Sequence, residues 1–164
     1  DDAPNPLSVY GKSKLAGEEA VAASGCRHII ARTAWLFGLG KKNFVEAILA
    51  KAKEGGTLKV VCDQSGSPCY AADLAGVMIE LWQRGCEGLF HCANQGVCTR
   101  HQFACEIVKQ DGAKAAVEPV LTSAYVTKAV RPVYGALKLD KVEKALGRKM
   151  PSWQDALARY LAAR

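Results

Sequence analysis

No stretch of this sequence approaches the ~20 consecutive apolar residues that a bilayer-spanning helix needs. The opening Asp1-Asp2-Ala3-Pro4-Asn5-Pro6 has neither the basic flank nor the apolar core of a signal peptide. A cytoplasmic protein without a membrane partner is the expectation. A basic run interleaved with aromatics is also missing: the formal charge of +6 comes from 22 lysines and arginines scattered along the chain, which argues against a nucleic-acid partner. No Cys-x-x-Cys occurs, and His28, His91 and His101 show no ligand spacing, so no metal is expected. Seven cysteines would suggest a disulfide framework in a small secreted protein, but the count is odd and five sit in apolar runs, which predicts reduced, mostly buried thiols. Neither G-x-G-x-x-G nor G-x-x-G-x-x-G is present, so the chain lacks the Gly-rich strand-to-helix turn that seats a dinucleotide pyrophosphate on a helix N-terminus. Gly38-Leu39-Gly40 lies between a strand and a helix but lacks the third glycine and reads as a loop.

What remains is a 164-residue chain, 49% hydrophobic and 23% charged, the composition of one globular unit with a substantial core. After an extended, proline-containing lead-in, a helix runs from about Tyr10 to Ala23, burying Leu15, Val21 and Ala22 and stopping at Gly25. His28 to Ala34 is a near-continuous apolar run, the pattern of a parallel strand covered on both faces. Phe44, Val45, Ile48, Leu49 and Ala52 mark a second helix, Leu58 to Cys62 a strand, and Asp63 to Pro68 a turn. Leu74, Val77, Met78, Leu81 and Trp82 form a helical stripe, followed by a strand at Leu89 to Ala93. Three further helix starts carry a capping residue with a partner three positions on: Thr99 with Gln102, Asp140 with Glu143, and Ser152 with Asp155.

The stretch with chemical content is Val9-Tyr10-Gly11-Lys12-Ser13-Lys14-Leu15-Ala16-Gly17-Glu18. A tyrosine and a lysine four residues apart share one face of a helix. An ammonium group held beside a phenol stabilises the phenolate, so the pair can act as a general acid toward a ketone, with lysine donors left over for sugar hydroxyls.

Taken with Arg32-Thr33-Ala34-Trp35-Leu36-Phe37-Gly38, Asn43-Phe44, Val61 to Pro68, Ala72-Asp73-Leu74-Ala75, Arg131-Pro132, Leu146-Gly147 and Pro151-Ser152-Trp153, this stretch resembles the dTDP-4-dehydrorhamnose reductases of the extended short-chain dehydrogenase/reductase family. The resemblance runs over essentially the whole chain but begins just ahead of the tyrosine helix, so it implies the C-terminal half of such an enzyme. The implied fold is α/β: the C-terminal part of a Rossmann-like doubly wound parallel sheet (1–36 and 70–95) plus a small α/β substrate-binding lobe (37–69 and 96–164). The implied reaction is reduction of the C4 ketone of dTDP-4-dehydro-L-rhamnose by NADPH or NADH. Tyr10 is then the proton donor and Lys14 its neighbour and ribose contact, both also touching the cofactor. Trp35, Asn43, Phe44, Gln64 and Arg131 line the nucleotide-sugar cleft, Arg131 because a guanidinium fork suits a diphosphate. The Gly-rich cofactor loop belongs to the half that is not in this sequence, and the expected protein partners are that half or further copies in a homo-oligomer. Cys69, Gly135 and Lys138 depart from the residues usual there, Thr, Ser and Asp. A second reading keeps the fold and drops the catalysis, as in the regulatory subunit of methionine adenosyltransferase. A third, an epimerase or dehydratase, lacks its Arg-Asp-aromatic approach at Cys69 to Asp73.

Overall fold

In the computed structural model, which describes residues 3–125 and 131–164, the chain is a mixed α/β structure with two separate hydrophobic clusters. The first helix, α1 (Val9–Ala23), opens on Ser8, whose side chain accepts the Gly11 N–H at 3.1 Å. It ends where Gly25 takes a positive φ of 72°, open to glycine without strain. Strand β1 (Ile29–Arg32) follows, then the two-residue strand β2 (Leu36–Phe37). Helix α2 (Phe44–Glu54), capped by Asn43, leads to β3 (Thr57–Val61), whose alternating burial puts Leu58 and Val60 inward. Short strands β4 (Ser65–Gly66) and β5 (Cys69–Tyr70) precede α3 (Ala71–Gln83) and β6 (Gly88–His91). The remainder is β7 (Cys98–Thr99), α4 (Arg100–Asp111), β8 (Ala116–Val120), β9 (Tyr134–Gly135), α5 (Asp140–Leu146) and α6 (Trp153–Ala162).

The strands pair mostly in parallel. β1 lies beside β6 with Arg32 opposite His91, β2 beside β5, and β3 beside β8. β4 sits between antiparallel β7 and parallel β9. Around β1 and β6, Val77 and Leu81 of α3 close over Phe90 and Cys92 with Val142, Leu146 and Met150. The larger cluster gathers α2, α4 and α6 with Leu58 and Val60 of β3, and aromatic contacts tie the three helices to Phe37 of β2 and Tyr70 of β5. Phe37 stacks on Tyr70 at 5.5 Å between ring centroids and takes the edge of Tyr160 at 5.4 Å, while Phe103 stacks on Phe44 and meets the edge of Trp153. The two clusters share no buried residue. Helix α5 contributes Val142 and Leu146 to the β1–β6 cluster.

Four expectations are corrected. Helix α1 buries none of its side chains: Leu15 is half-exposed, while Val21 and Ala22 face outward, because no described element packs across that face. Trp82, at the end of the α3 stripe, is 71% exposed. Asp140 is the first residue of α5 rather than its cap. Glu143 turns inward to accept from Gln95, Lys149 and the Met150 N–H, so the pair forms no capping box. The turn from Asp63 to Pro68 contains strand β4, held by Ser65 N–H donating to Val133 O at 2.8 Å. By contrast Thr99 and Gln102 form the full reciprocal capping box, and Ser152 accepts the Asp155 N–H. Cys69, Cys92 and Cys98 are buried, Cys26 is exposed, and all seven cysteines are free thiols. Burial pushes Cys92 up to about 11 and Cys98 up to about 12, so both stay protonated and unreactive.

Candidate functional site

Helix α1 places Tyr10 and Lys14 one turn apart, with the Lys14 ammonium 5.5 Å from the centre of the Tyr10 ring, within range for a cation–π contact. Tyr10 is 71% exposed, so its hydroxyl is open to a ligand. One ion pair fixes this helix to the sheet. Glu18, two turns beyond Tyr10, accepts from Arg32 at the end of β1, with the Arg32 Nη2 at 2.6 Å from its carboxylate. The hydrogen bond from Arg32 holds the Glu18 carboxyl below its ordinary range against a smaller opposing effect of burial. His91, beside Arg32 on the neighbouring strand, is kept toward its neutral form by burial and by the Arg32 charge.

The chain leaves β1 at its carboxyl end through Thr33 and Ala34 into Trp35, where ligands gather in open α/β sheets. Trp35 has a φ of 45°, which makes it the non-glycine residue with left-handed backbone among those described. That conformation costs ~1–3 kcal/mol for a bulky residue and persists only where the surroundings enforce it. They do so here from two sides. A Cβ on Gly66 would fall 2.6 Å from the indole Cε2, so Gly66 has no room for a side chain. The Arg100 guanidinium lies over the indole ring at 3.9 Å and over the Phe44 ring at 5.2 Å.

Arg100 opens onto a cavity of about 680 Å³ between α2, β3 and the segments around Gln64, Thr122 and Arg131. Ile48, Leu58 and Val60 supply an apolar wall. The charged groups of the described lining are Lys51, Lys59, Arg100 and Arg131 against the single carboxylate of Glu54. Gln64 is buried, and its Nε2 donates to Thr122 Oγ1 at 3.0 Å. Thr122 Oγ1 in turn donates to Asp63 at 2.6 Å, and Asp63 also accepts the Thr122 N–H. Those bonds hold the Asp63 carboxyl below its ordinary range. Burial pulls Arg100 down to about 10, and the neighbouring Arg131 charge acts in the same direction. Such a lining suits a ligand with an apolar or aromatic part and a doubly charged anionic part.

Of the residues expected from sequence, the structure brings Phe44, Gln64 and Arg131 to this cavity, with Trp35 against it through Arg100. Asn43 is not in its described lining. Both ends of the Asn43 amide are engaged within the protein: Oδ1 accepts the Glu46 N–H, and Nδ2 donates to Gly38 O at 2.9 Å and to Tyr160. Asn43 thus ties the loop after β2 to helices α2 and α6. Tyr10 and Lys14 stand apart on α1. Sequence reasoning passed over Arg100 and Thr122. A signal for Arg100 was there, since a cation on the first residue of a helix opposes the helix dipole and calls for a reason. Among the described residues no group of three or more His, Cys, Asp or Glu could hold a metal ion, and no helix is long and apolar enough to cross a membrane.

The whole chain, residues 1–164, matches the family described as RmlD substrate binding domain. It is 39% identical over 164 residues to the spore coat polysaccharide biosynthesis protein SpsK of Bacillus subtilis, covering 100% of this chain and 57% of that protein. It is 36% identical over 172 residues to the dTDP-4-dehydrorhamnose reductase of Salmonella typhimurium, covering 98% of this chain and 57% of the relative. Among solved structures, the dTDP-4-dehydrorhamnose reductase of Bacillus anthracis in complex with NADP superposes with a TM-score of 0.94 at 35% identity, covering 99% of this chain and 58% of that one. The chain therefore spans a little over half the length of the relatives it matches. A UDP-galactose 4-epimerase at 21% identity and a TM-score of 0.74 shares the fold.

Proposed function

The chain belongs to the RmlD substrate binding domain family, and from that membership we propose that it supplies the proton donor and the nucleotide-sugar cleft of an NADPH- or NADH-dependent reductase. The reaction is conversion of the C4 ketone of dTDP-4-dehydro-L-rhamnose to the alcohol of dTDP-L-rhamnose. The observation that carries this reading is the cavity of about 680 Å³, apolar along α2 and β3 and cationic at Arg100 and Arg131, a match for a nucleoside diphosphate. Membership of the family narrows the base and the sugar. The helix with Tyr10 and Lys14 on one face adds the means to reduce a ketone.

Tyr10 gives its hydroxyl proton to the C4 oxygen, and the Lys14 ammonium stabilises the phenolate left behind. Among the described residues neither polar end makes a side-chain hydrogen bond, so both fit the ribose and nicotinamide side of a dinucleotide. That cofactor, when bound, supplies the hydride. Its pyrophosphate needs a Gly-rich turn that residues 1–164 do not contain, so that half of the cofactor site comes from sequence outside them or from another chain. Trp35 and Phe44 form the aromatic side of the cleft, and Gln64 and Arg131 provide polar contacts for the nucleotide.

The test is NAD(P)H oxidation by the full-length protein with dTDP-4-dehydrorhamnose, followed at the reduced-nicotinamide absorbance. Turnover dependent on the dTDP-sugar is expected. Tight cofactor binding with no turnover would favour a binding subunit of the same fold.

A further inference from the structure

We propose that Arg100 is a diphosphate-binding residue of the nucleotide-sugar cleft, presented to the ligand by Trp35 and Phe44. The inference rests on the reading of the cleft as a nucleotide-sugar site and adds a ligand contact that the family motifs in this sequence do not contain.

Four observations converge on it. The guanidinium carbon lies over two aromatic rings, 3.9 Å from the centre of Trp35 and 5.2 Å from that of Phe44, which holds the group beside the cleft without using up its N–H donors. Among the described residues it has no ion pair and no side-chain hydrogen bond to a carboxylate, whereas Arg32, Arg84, Arg148 and Arg159 all have one. It occupies the first residue of α4, where the helix dipole is positive and a cation is unfavourable. Finally, it lines the cavity together with Arg131, a second positive charge. A guanidinium partly removed from water, close to another cation and set on a positive helix end, is an arrangement that an anion completes. Burial first, and then the Arg131 charge, weaken its hold on its own proton. The apolar wall of Ile48, Leu58 and Val60 gives the anion a neighbouring flat group, so a nucleoside diphosphate fits better than free phosphate.

The geometry also changes what Trp35 does. With Arg100 covering one ring face, Trp35 acts on the ligand through the arginine it holds as well as through any face left to the sugar. Loss of Trp35 then weakens the diphosphate contact too.

The experiment is calorimetric titration of dTDP and of thymidine into the full-length protein and its R100M and R100K variants. R100M keeps an apolar stem against the rings and removes the charge. It is expected to weaken dTDP by about 10–100-fold, the range of a lost charge-assisted bond pair, with thymidine unchanged within twofold. R100K keeps the charge but loses the fork, and should fall between. Should R100M fail to fold, R100K decides: a several-fold loss for dTDP with thymidine unchanged is expected, and equality with wild type overturns the assignment. An R100M variant that binds dTDP as wild type does, or that loses thymidine in the same proportion as dTDP, also overturns it. If the wild-type protein prefers UDP or GDP and R100M loses that binding, the dTDP reading fails while Arg100 keeps its role. A wild-type protein that binds no nucleoside diphosphate would refute both.

Discussion

Arg159 of α6 closes both terminal nitrogens of its guanidinium on the two oxygens of Asp73 at the start of α3, at 2.7 and 2.8 Å. Asn94 adds a third donor to Asp73 at 2.6 Å while accepting the Tyr70 N–H. One carboxylate therefore ties an element of the β1–β6 cluster to an element of the aromatic cluster. Burial alone would raise the Asp73 carboxyl, but the bonds from Arg159 and Asn94 outweigh it, and the group stays below its ordinary range. Because the folded value is depressed, this stabilisation is complete above the unfolded value of ~3.9 and fades as pH falls through the lower folded value. Asp73→Asn is expected to cost about 1.5–3 kcal/mol at neutral pH, typical of hydrogen bonds to a charged group. It is also expected to make the loss of stability below about pH 4 less steep. Denaturant unfolding at pH 7 and pH 3 measures both. An unchanged stability difference between the two pH values would rule out the linkage.

Tyr10→Phe removes the proposed proton donor from an exposed position on α1, so the fold should be untouched. Loss of a positioned general acid typically costs ~10²–10⁴-fold in rate. Steady-state turnover of the full-length variant, with circular dichroism as the folding control, checks this. Retention of more than half the wild-type turnover would take Tyr10 out of the mechanism.

Gly66→Ala places a methyl group where the indole of Trp35 now lies, 2.6 Å from Cε2, and the ring must move. Trp35→Ala removes the ring altogether, and the loss of an aromatic contact at a ligand is worth ~1–3 kcal/mol. Both variants are expected to raise the Michaelis constant for the nucleotide sugar by about tenfold or more, leaving cofactor affinity alone. A drop in cofactor affinity with unchanged substrate affinity would place Trp35 on the wrong side of the site.

Calorimetric titration of NADPH into the isolated 164-residue chain is expected to show no micromolar binding, since the sequence has no Gly-rich turn for the pyrophosphate. Micromolar affinity in a monodisperse sample would mean that the dinucleotide site lies within these residues.

The sequence carried the elements whose signal is local. Apolar periodicity found α2 through Val45, Ile48, Leu49 and Ala52, and all four are buried. Side-chain acceptors found the starts at Thr99 and Ser152. What escaped depends on partners distant in the chain. Asp140 and Glu143 have the spacing of a cap, but Gln95 and Lys149 draw Glu143 inward. Trp82 continues the apolar period of α3 on a face that no described element covers. The site divides the same way: the Tyr10–Lys14 pair is one helical turn and could be seen in sequence. The Arg100 stack on Trp35 joins positions brought together only by β4 and β7. At Asn43 the structure adds a role that the motif did not carry, the cap of α2, since a residue type suited to a ligand is equally suited to a helix cap.

The absence of any buried side chain on α1 bears on how Tyr10 and Lys14 move. In hydrogen exchange, amides report the free energy of the smallest opening that exposes them, and a helix without core contacts can open by itself. Its tether is the Glu18–Arg32 pair plus its own backbone bonds, so its amides are expected to exchange well before those of α4, which buries Phe103, Ala104, Ile107 and Val108. Tyr10 and Lys14 thus ride on the one α-helix among the described residues that buries no side chain. Whatever covers its outer face sets how much of the time Tyr10, as the proposed proton donor, is in register with a ligand.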